Sequence, residues 1–260
     1  MNMGFVPADT ASVNAMTYPP LDVLKPVAPD LWIVDSGPKR AFGIPLPLRM
    51  TVIRLSNGDL FLHSPTRFED GLRHEMQSLG RIRHLIAPDI AHWSFLKEWQ
   101  QNCPEVLTWA APRLRERRQV RKAGLRLDRD LGEAAPPDWA AEIMQTLVAG
   151  AAKFHEVAFF HKPTRTLVLT DLVLNLEPEK LPALMRPFAR MIGVVAPDGK
   201  APVYLRMLIK LKRRDAATAV ARIIDWRPER VIFSHGAWFE RDGTAALRQS
   251  LRWILGGTHA

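Results

Sequence analysis

The chain has 260 residues, 47% hydrophobic and 24% charged. That size and composition suit a soluble protein of one large domain or two small ones with a substantial core, and no run approaches the roughly 18–20 apolar residues a membrane helix needs. Cys103 is the only cysteine, which excludes an internal disulfide and fits a reducing compartment, the cytoplasm by default. The net charge of +9 and a pI near 10.1 raise the question of a polyanionic partner. However, the charge gathers at residues 113–129 and 205–214 without a nucleic-acid motif or interleaved stacking aromatics, so nucleic acid is not expected. Solvated basic faces are the plainest account. An anionic small-molecule substrate or an anionic membrane surface would also suit them.

The opening MNMGFVPADTASVNAM lacks the basic and apolar regions of a secretory signal. Residues 1–19 are expected to form a flexible extension ahead of a single domain over residues 20–257. LWIVDSG reads as a short strand. MTVIRLSNGDLFLHSP carries two apolar runs around Asn57-Gly58, a hairpin signal. In FEDGLRHEMQSLGRI, Leu72, Met76 and Leu79 have helical spacing and Gly80 closes the pattern. A buried strand IRHLIAP, a helix around HWSFLKEWQQNCP and a strand VLTWAAP follow. Residues 113–136 read as a charged excursion ending in Ala-Ala-Pro-Pro. EIMQTLVAG and EVAFFHKPTRTLVLTDLVL then return to strands, with Lys162-Pro163-Thr164-Arg165 as the turn of a second hairpin. Residues 177–225 read as a mostly helical insert, including AATAVARIIDW with Ala216, Val220, Ile223 and Ile224 on one face. RVIFSHG is a strand, and TAALRQSLRWILGG a terminal helix stopped by Gly256-Gly257. Hairpins alternating with helices predict an α/β fold with helices packed outside two sheets.

Metal-capable side chains follow three of the apolar runs: Asp89 and His92 in LIAPDIAHW, Asp171 in TLVLTDLVLN, and His235 in RVIFSHGAW. Loops held by a rigid sheet are where functional side chains gather, and two imidazoles with a carboxylate suit a divalent metal. Each residue also has an ordinary structural role. Asp171 could cap a turn, His235 could bond to backbone, His92 could pack on the following helix, and Asp89 could serve as an N-cap. His155 and His161 share a strand, where one is expected to point outward, and only His155 lies near the rim. There is no G-x-S-x-G elbow and no phosphate-binding Gly loop, so neither a serine hydrolase nor a nucleotide cofactor is expected.

In its order of elements, and in LFLHSPT, HLIAPDIAHWSFLKEW, EVAFFHKPTRTLVLTDLVLNL and VIFSHG, the chain resembles the metallo-β-lactamase superfamily. More narrowly, it resembles a bacterial family of that superfamily known as a domain of unknown function. The resemblance covers roughly residues 20–257 and implies an αββα four-layer sandwich with the site at one rim of the sheets. The superfamily's H-x-H-x-D-H signature falls on residues 87–93, where only His92 survives and Asp89 is a substitute. Its second histidine falls at Ala152, with His155 as a replacement three residues on. Its bridging Asp is kept as Asp171 in Thr170-Asp171, and its final histidine as His235. The strand-end Asp is replaced within His63-Ser64-Pro65.

The resemblance implies a reduced, mononuclear site with His92, Asp171 and His235 as ligands and Asp89 or His155 completing it. Zinc suits the donors best, with iron or manganese as alternatives, and Asp171 and His92 would serve the chemistry. The implied activity is metal-dependent hydrolysis. The competing expectation is a non-catalytic binding or structural module that kept the fold and lost the metal. Oligomeric state has no signal in the sequence.

Overall fold

The computed structural model describes residues 10–41, 44–152 and 154–255. The first sheet collects β1 (Lys25–Ala28), β2 (Leu31–Ala41), β3 (Ile44–Arg54), β4 (Asp59–His63), β5 (Arg81–Ala87), β6 (Leu107–Ala110) and β7 (Arg129–Asp130), in that spatial order. The second collects β8 (Ile143–Ala149), β9 (His155–His161), β10 (Thr166–Val168) and β11 (Arg230–Ile232), again in sequence order across the sheet. Helices α1 (Thr10–Met16), α2 (Asp70–Leu79), α3 (Leu96–Asn102) and α4 (Arg118–Ala123) accompany the first half. Helices α5 (Arg186–Ile192), α6 (Val203–Lys210), α7 (Arg213–Asp225) and α8 (Gly243–Leu255) accompany the second.

Alternation along the strands builds the layers. On β4, Leu60 and Leu62 pack with Leu72, Met76, Leu96 and Trp99 of α2 and α3. Phe61 between them faces the other way, against Trp139 and Phe159. On β9, Val157 and Phe159 join that central core, while Ala158 and Phe160 pack under Ala216, Val220, Leu247 and Leu251 of α7 and α8. Period-two side chains thus feed an inter-sheet core and a helix layer outside each sheet. The expected helix–sheet–sheet–helix order is present.

The hairpin at Asn57-Gly58 forms, with Thr51 opposite His63. Gly80 closes α2 for a reason of space, not of φ: a Cβ there would lie 2.3 Å from the Gly58 carbonyl oxygen. The second hairpin also forms, with Thr166 opposite His161. Two expectations need correction. LWIVDSG belongs to an eleven-residue strand paired with another of equal length. Of the second, only the MTVIR end was legible, because the residues before it alternate with prolines and an arginine. The extension is also not loose from residue 10 onward. Thr10–Met16 is helical, Thr17 is buried, Lys180 donates to its carbonyl, and the Tyr18 hydroxyl donates to Glu177. Residues 1–9 and the Gly256-Gly257 stop lie outside the described residues.

Topology sets where the site sits. Strands β4, β5 and β6 run parallel, as do β10 and β11. Because β9 is antiparallel to β10, with Val168 opposite Phe159, its first residues lie beside the chain leaving β10. Asp89 bridges to Glu156 across the sheets, and the Val157 N–H donates to the Pro88 carbonyl. The C-terminal ends of β5, β10 and β11 and the start of β9 therefore meet at one rim.

Candidate metal centre

At that rim His92, Asp171 and His235 bring one ligand atom each to within 4.8 Å of one another. The two imidazoles face each other through Nε2, 3.2 Å apart. Asp171 Oδ1 lies 3.4 Å from His235 Nε2 and 4.0 Å from His92 Nε2. Each ring is held by its other nitrogen. His235 Nδ1 donates to the Pro47 carbonyl at 2.7 Å, and His92 Nδ1 lies 2.6 Å from Asp89 Oδ2. An acceptor on Nδ1 fixes the tautomer that leaves Nε2 as a lone pair, the arrangement that orients metal-binding histidines.

Asp89 and Asp171 are both carboxylates of the rim, but they are differently used. The Asp89 side chain is 1% exposed. Its Oδ1 accepts the N–H groups of Ala91 and His92, and its Oδ2 takes the His92 ring. Asp171 is 15% exposed and turns an oxygen toward both Nε2 atoms. Asp89 therefore stands behind His92 as its orienting carboxylate, and Asp171 stands in the cluster.

Electrostatics follow from burial and crowding. Burial alone would raise the Asp89 carboxyl, but the His92 ring and two backbone N–H donors bring it down to about 2. Burial alone would lower His92, but the Asp89 and Asp171 carboxylates overcome it and hold the ring up at about 9.

A scaffold of backbone and buried charge fixes the loops. His235 precedes Gly236, whose φ of +93° and 2.2 Å approach of a would-be Cβ to the Asn175 carbonyl oxygen require glycine. Arg49 and Asp35, paired across β2 and β3, form a buried ion pair at 2.7 Å. Arg49 also donates to the Phe233 and Gly236 carbonyls, bracketing His235.

A second concavity of ≈ 570 Å³ lies at the opposite rim, among Asp30, Arg54, Glu142, His161, Arg165 and Glu229. Its charges pair with one another, as in Arg54 with Asp30 and Arg165 with Glu229.

A family model described as a domain of unknown function (DUF4336) matches residues 30–198, more than half of the chain. The chain belongs to that family. Among solved structures, the DUF4336 chain is similar to a metallo-β-lactamase from Pontibacter korlensis (12% identity, TM-score 0.58, covering 89% of this chain and 97% of that one). It is also similar to DIM-1 metallo-β-lactamase exposed to ceftazidime (17%, TM-score 0.62, 89% and 95%). A third is FIM-1 from Pseudomonas aeruginosa in its mono-zinc form (13%, TM-score 0.58, 89% and 94%). These likenesses establish the metallo-β-lactamase fold expected from the sequence and carry no activity with them. A comparison with curated proteins returned no match.

Of the five metal candidates in this DUF4336 chain, the structure gathers His92, Asp171 and His235. Asp89 stands behind His92, and His155 lies outside the cluster at the start of β9, opposite Ala149. His155 and His161, six residues apart, share a face of their strand, contrary to the expectation that one points outward. They differ by which rim they occupy, and His161 is buried against the Thr164 hydroxyl at the far one. His84 is a satisfied core histidine that accepts from the Trp109 indole. His63 is not: it is buried, and its Nε2 has no hydrogen-bond partner. Burial, with the nearby His92, lowers its ring to about 3.

Sequence reasoning missed Glu156 of the rim and Tyr204, which feels its carboxylates. Glu156 is fully buried, and its carboxylate accepts the N–H groups of Thr170, Asp171 and Leu172 at 2.7–3.0 Å. Burial and the carboxylates of Asp89 and Asp171 raise it to about 8, although the N–H donors pull the other way. A glutamate opening the apolar strand EVAFF was the available signal. Tyr204, in the first turn of α6, is raised by burial and by the Asp171 and Asp89 carboxylates. No spacing in the sequence announces that influence.

Proposed function

We propose that this chain is a metal-dependent hydrolase with a mononuclear site, in which His92, Asp171 and His235 hold one divalent ion. The observation that carries the reading is the pair of Nε2 atoms 3.2 Å apart, each on a ring whose Nδ1 is committed to an acceptor. Two lone pairs do not face each other at that distance without a proton or a cation between them. The donor set fits: two imidazoles and a carboxylate leave coordination open, as catalytic zinc sites do. The fold of the zinc-containing FIM-1 structure supports the same reading.

A bound ion would supply Lewis acidity and activated water for attack on a polar bond. The chain's own residues account for the rest. Asp89 and the Pro47 carbonyl hold the rings in register. Asp171, the most exposed of the cluster, has a second oxygen able to orient water or accept its proton. Glu156 fixes the loop that carries Asp171 by three backbone bonds. The basic surface favours an anionic ester or phosphate compound as substrate.

Elemental analysis of protein purified without chelators tests this. About one equivalent of zinc, iron or manganese per chain is expected, with most of it lost in His235→Ala and in Asp171→Ala. A metal-free wild-type protein would return the chain to the class of binding modules that keep the fold alone.

A further inference from the structure

Helix α6 breaks the rule that a surface helix has one apolar stripe. Leu205 and Ile209 face the core. On the opposite side Val203, Met207 and Leu211, spaced four apart, are 44%, 64% and 75% exposed. A helix apolar on both faces normally buries both. Just before it, Leu184, Phe188 and Met191 are 96%, 47% and 74% exposed. Of the eight exposed large hydrophobic residues among those described, only Val23 lies outside residues 184–211. The Arg206 guanidinium donates to the Ile192 carbonyl, and the Lys200 N–H to the Gly193 carbonyl, so α5 and α6 form one unit.

Charge decides what would cover this face. From Lys180 to Arg214 the sequence holds nine Lys and Arg residues and a single acid, Asp198. Arg190, Lys210, Lys212, Arg213 and Arg214 are exposed around the apolar side chains. A second copy docking through the same patch would oppose basic face to basic face, since a two-fold interface is self-matching. Apolar side chains flanked by Lys and Arg are instead what an anionic lipid surface takes up: the side chains enter the acyl boundary and the cations meet headgroups.

We propose that α5, α6 and the segment between them seat the protein on an anionic membrane surface, with Met207 and Leu211 inserted among the lipids. The inference stands whether or not the site binds metal.

Flotation with phosphatidylcholine vesicles, with and without phosphatidylglycerol, tests it. Wild-type protein should float only with the anionic vesicles and detach as salt rises. The exposed-site double variant Met207→Asp/Leu211→Asp should lose roughly tenfold or more of that binding while keeping its melting temperature and metal content. Removing the other basic cluster, in Arg118→Ser/Arg121→Ser/Lys122→Ser, should leave most of the binding. Three results would overturn the inference: no flotation at low salt, equal loss from either variant (adsorption of a generic polycation), or a wild-type dimer by light scattering that Met207→Asp dissociates.

Discussion

Asp89 and Asp171 illustrate how one rim turns two like side chains to different ends. Asp89 spends its oxygens on the His92 ring and two N–H groups, so Asp89→Asn should leave a folded protein whose zinc affinity falls about 10- to 100-fold. Competition with a chromophoric chelator measures this, and an unchanged affinity would remove the orienting role. The elevated His92 gives a second test. With both carboxylates holding its proton up to about 9, zinc uptake at neutral pH should release about one proton. Calorimetry in buffers of different ionisation enthalpy reads that release, and buffer-independent heats would contradict it. The sequence showed that His92, Asp171 and His235 were metal-capable. It did not show that Asp89 stands behind His92, because that depends on which way two rings turn.

At the scale of elements, the site is held by backbone geometry imposed from distant strands. Arg49 on β3 reaches the carbonyls on either side of His235 and pairs with Asp35 on β2. Arg49→Met should cost up to about 3 kcal/mol, because it takes one of two cations from a buried carboxylate and leaves Lys25, 2.8 Å from Asp35 Oδ2, as the other. Asp35→Asn/Arg49→Met should recover part of that in urea denaturation, whereas strict additivity would mean the pair is not coupled. Glu156 acts likewise on the Asp171 loop. Glu156→Gln keeps the size but offers one oxygen to three N–H groups, and should speed amide exchange at residues 170–172 ahead of the rest of β9 and β10. The hairpins, α2 and α7 were legible as period-two and period-3.6 patterns. The Arg49 and Glu156 links were not, since their partners lie far away in sequence and are backbone atoms that carry no residue identity.

For the whole molecule, acid stability should show the cost of buried neutral imidazoles. Burial lowers His84 to about 4, with the Asp138 and Asp59 carboxylates opposing it. Above pH 6.5 both folded and unfolded chains keep it neutral, and its contribution is full. Between pH 6.5 and about 4 only the unfolded chain takes the proton, so roughly 3 kcal/mol drains away. Glu156, raised to about 8, slopes the opposite way. The informative quantity is therefore the urea midpoint of the wild type minus that of His84→Gln, which should fall across that window. A flat difference would show that His84 is not held neutral by the fold.

Local pattern alone determined the two hairpins, the buried strands, the amphipathic helices and the loops that end in His and Asp, because each depends on residues a few positions apart. Helices outside two sheets followed from hairpins alternating with helices, whereas the αββα four-layer order was what the resemblance implied. Tertiary structure decided the rest. It put the start of β9 beside the end of β10, gave His92 its carboxylate, and closed Arg49 around the His235 loop. Each of these depends on where chain segments far apart in sequence come together, and the spacing of residues along a chain carries no record of that.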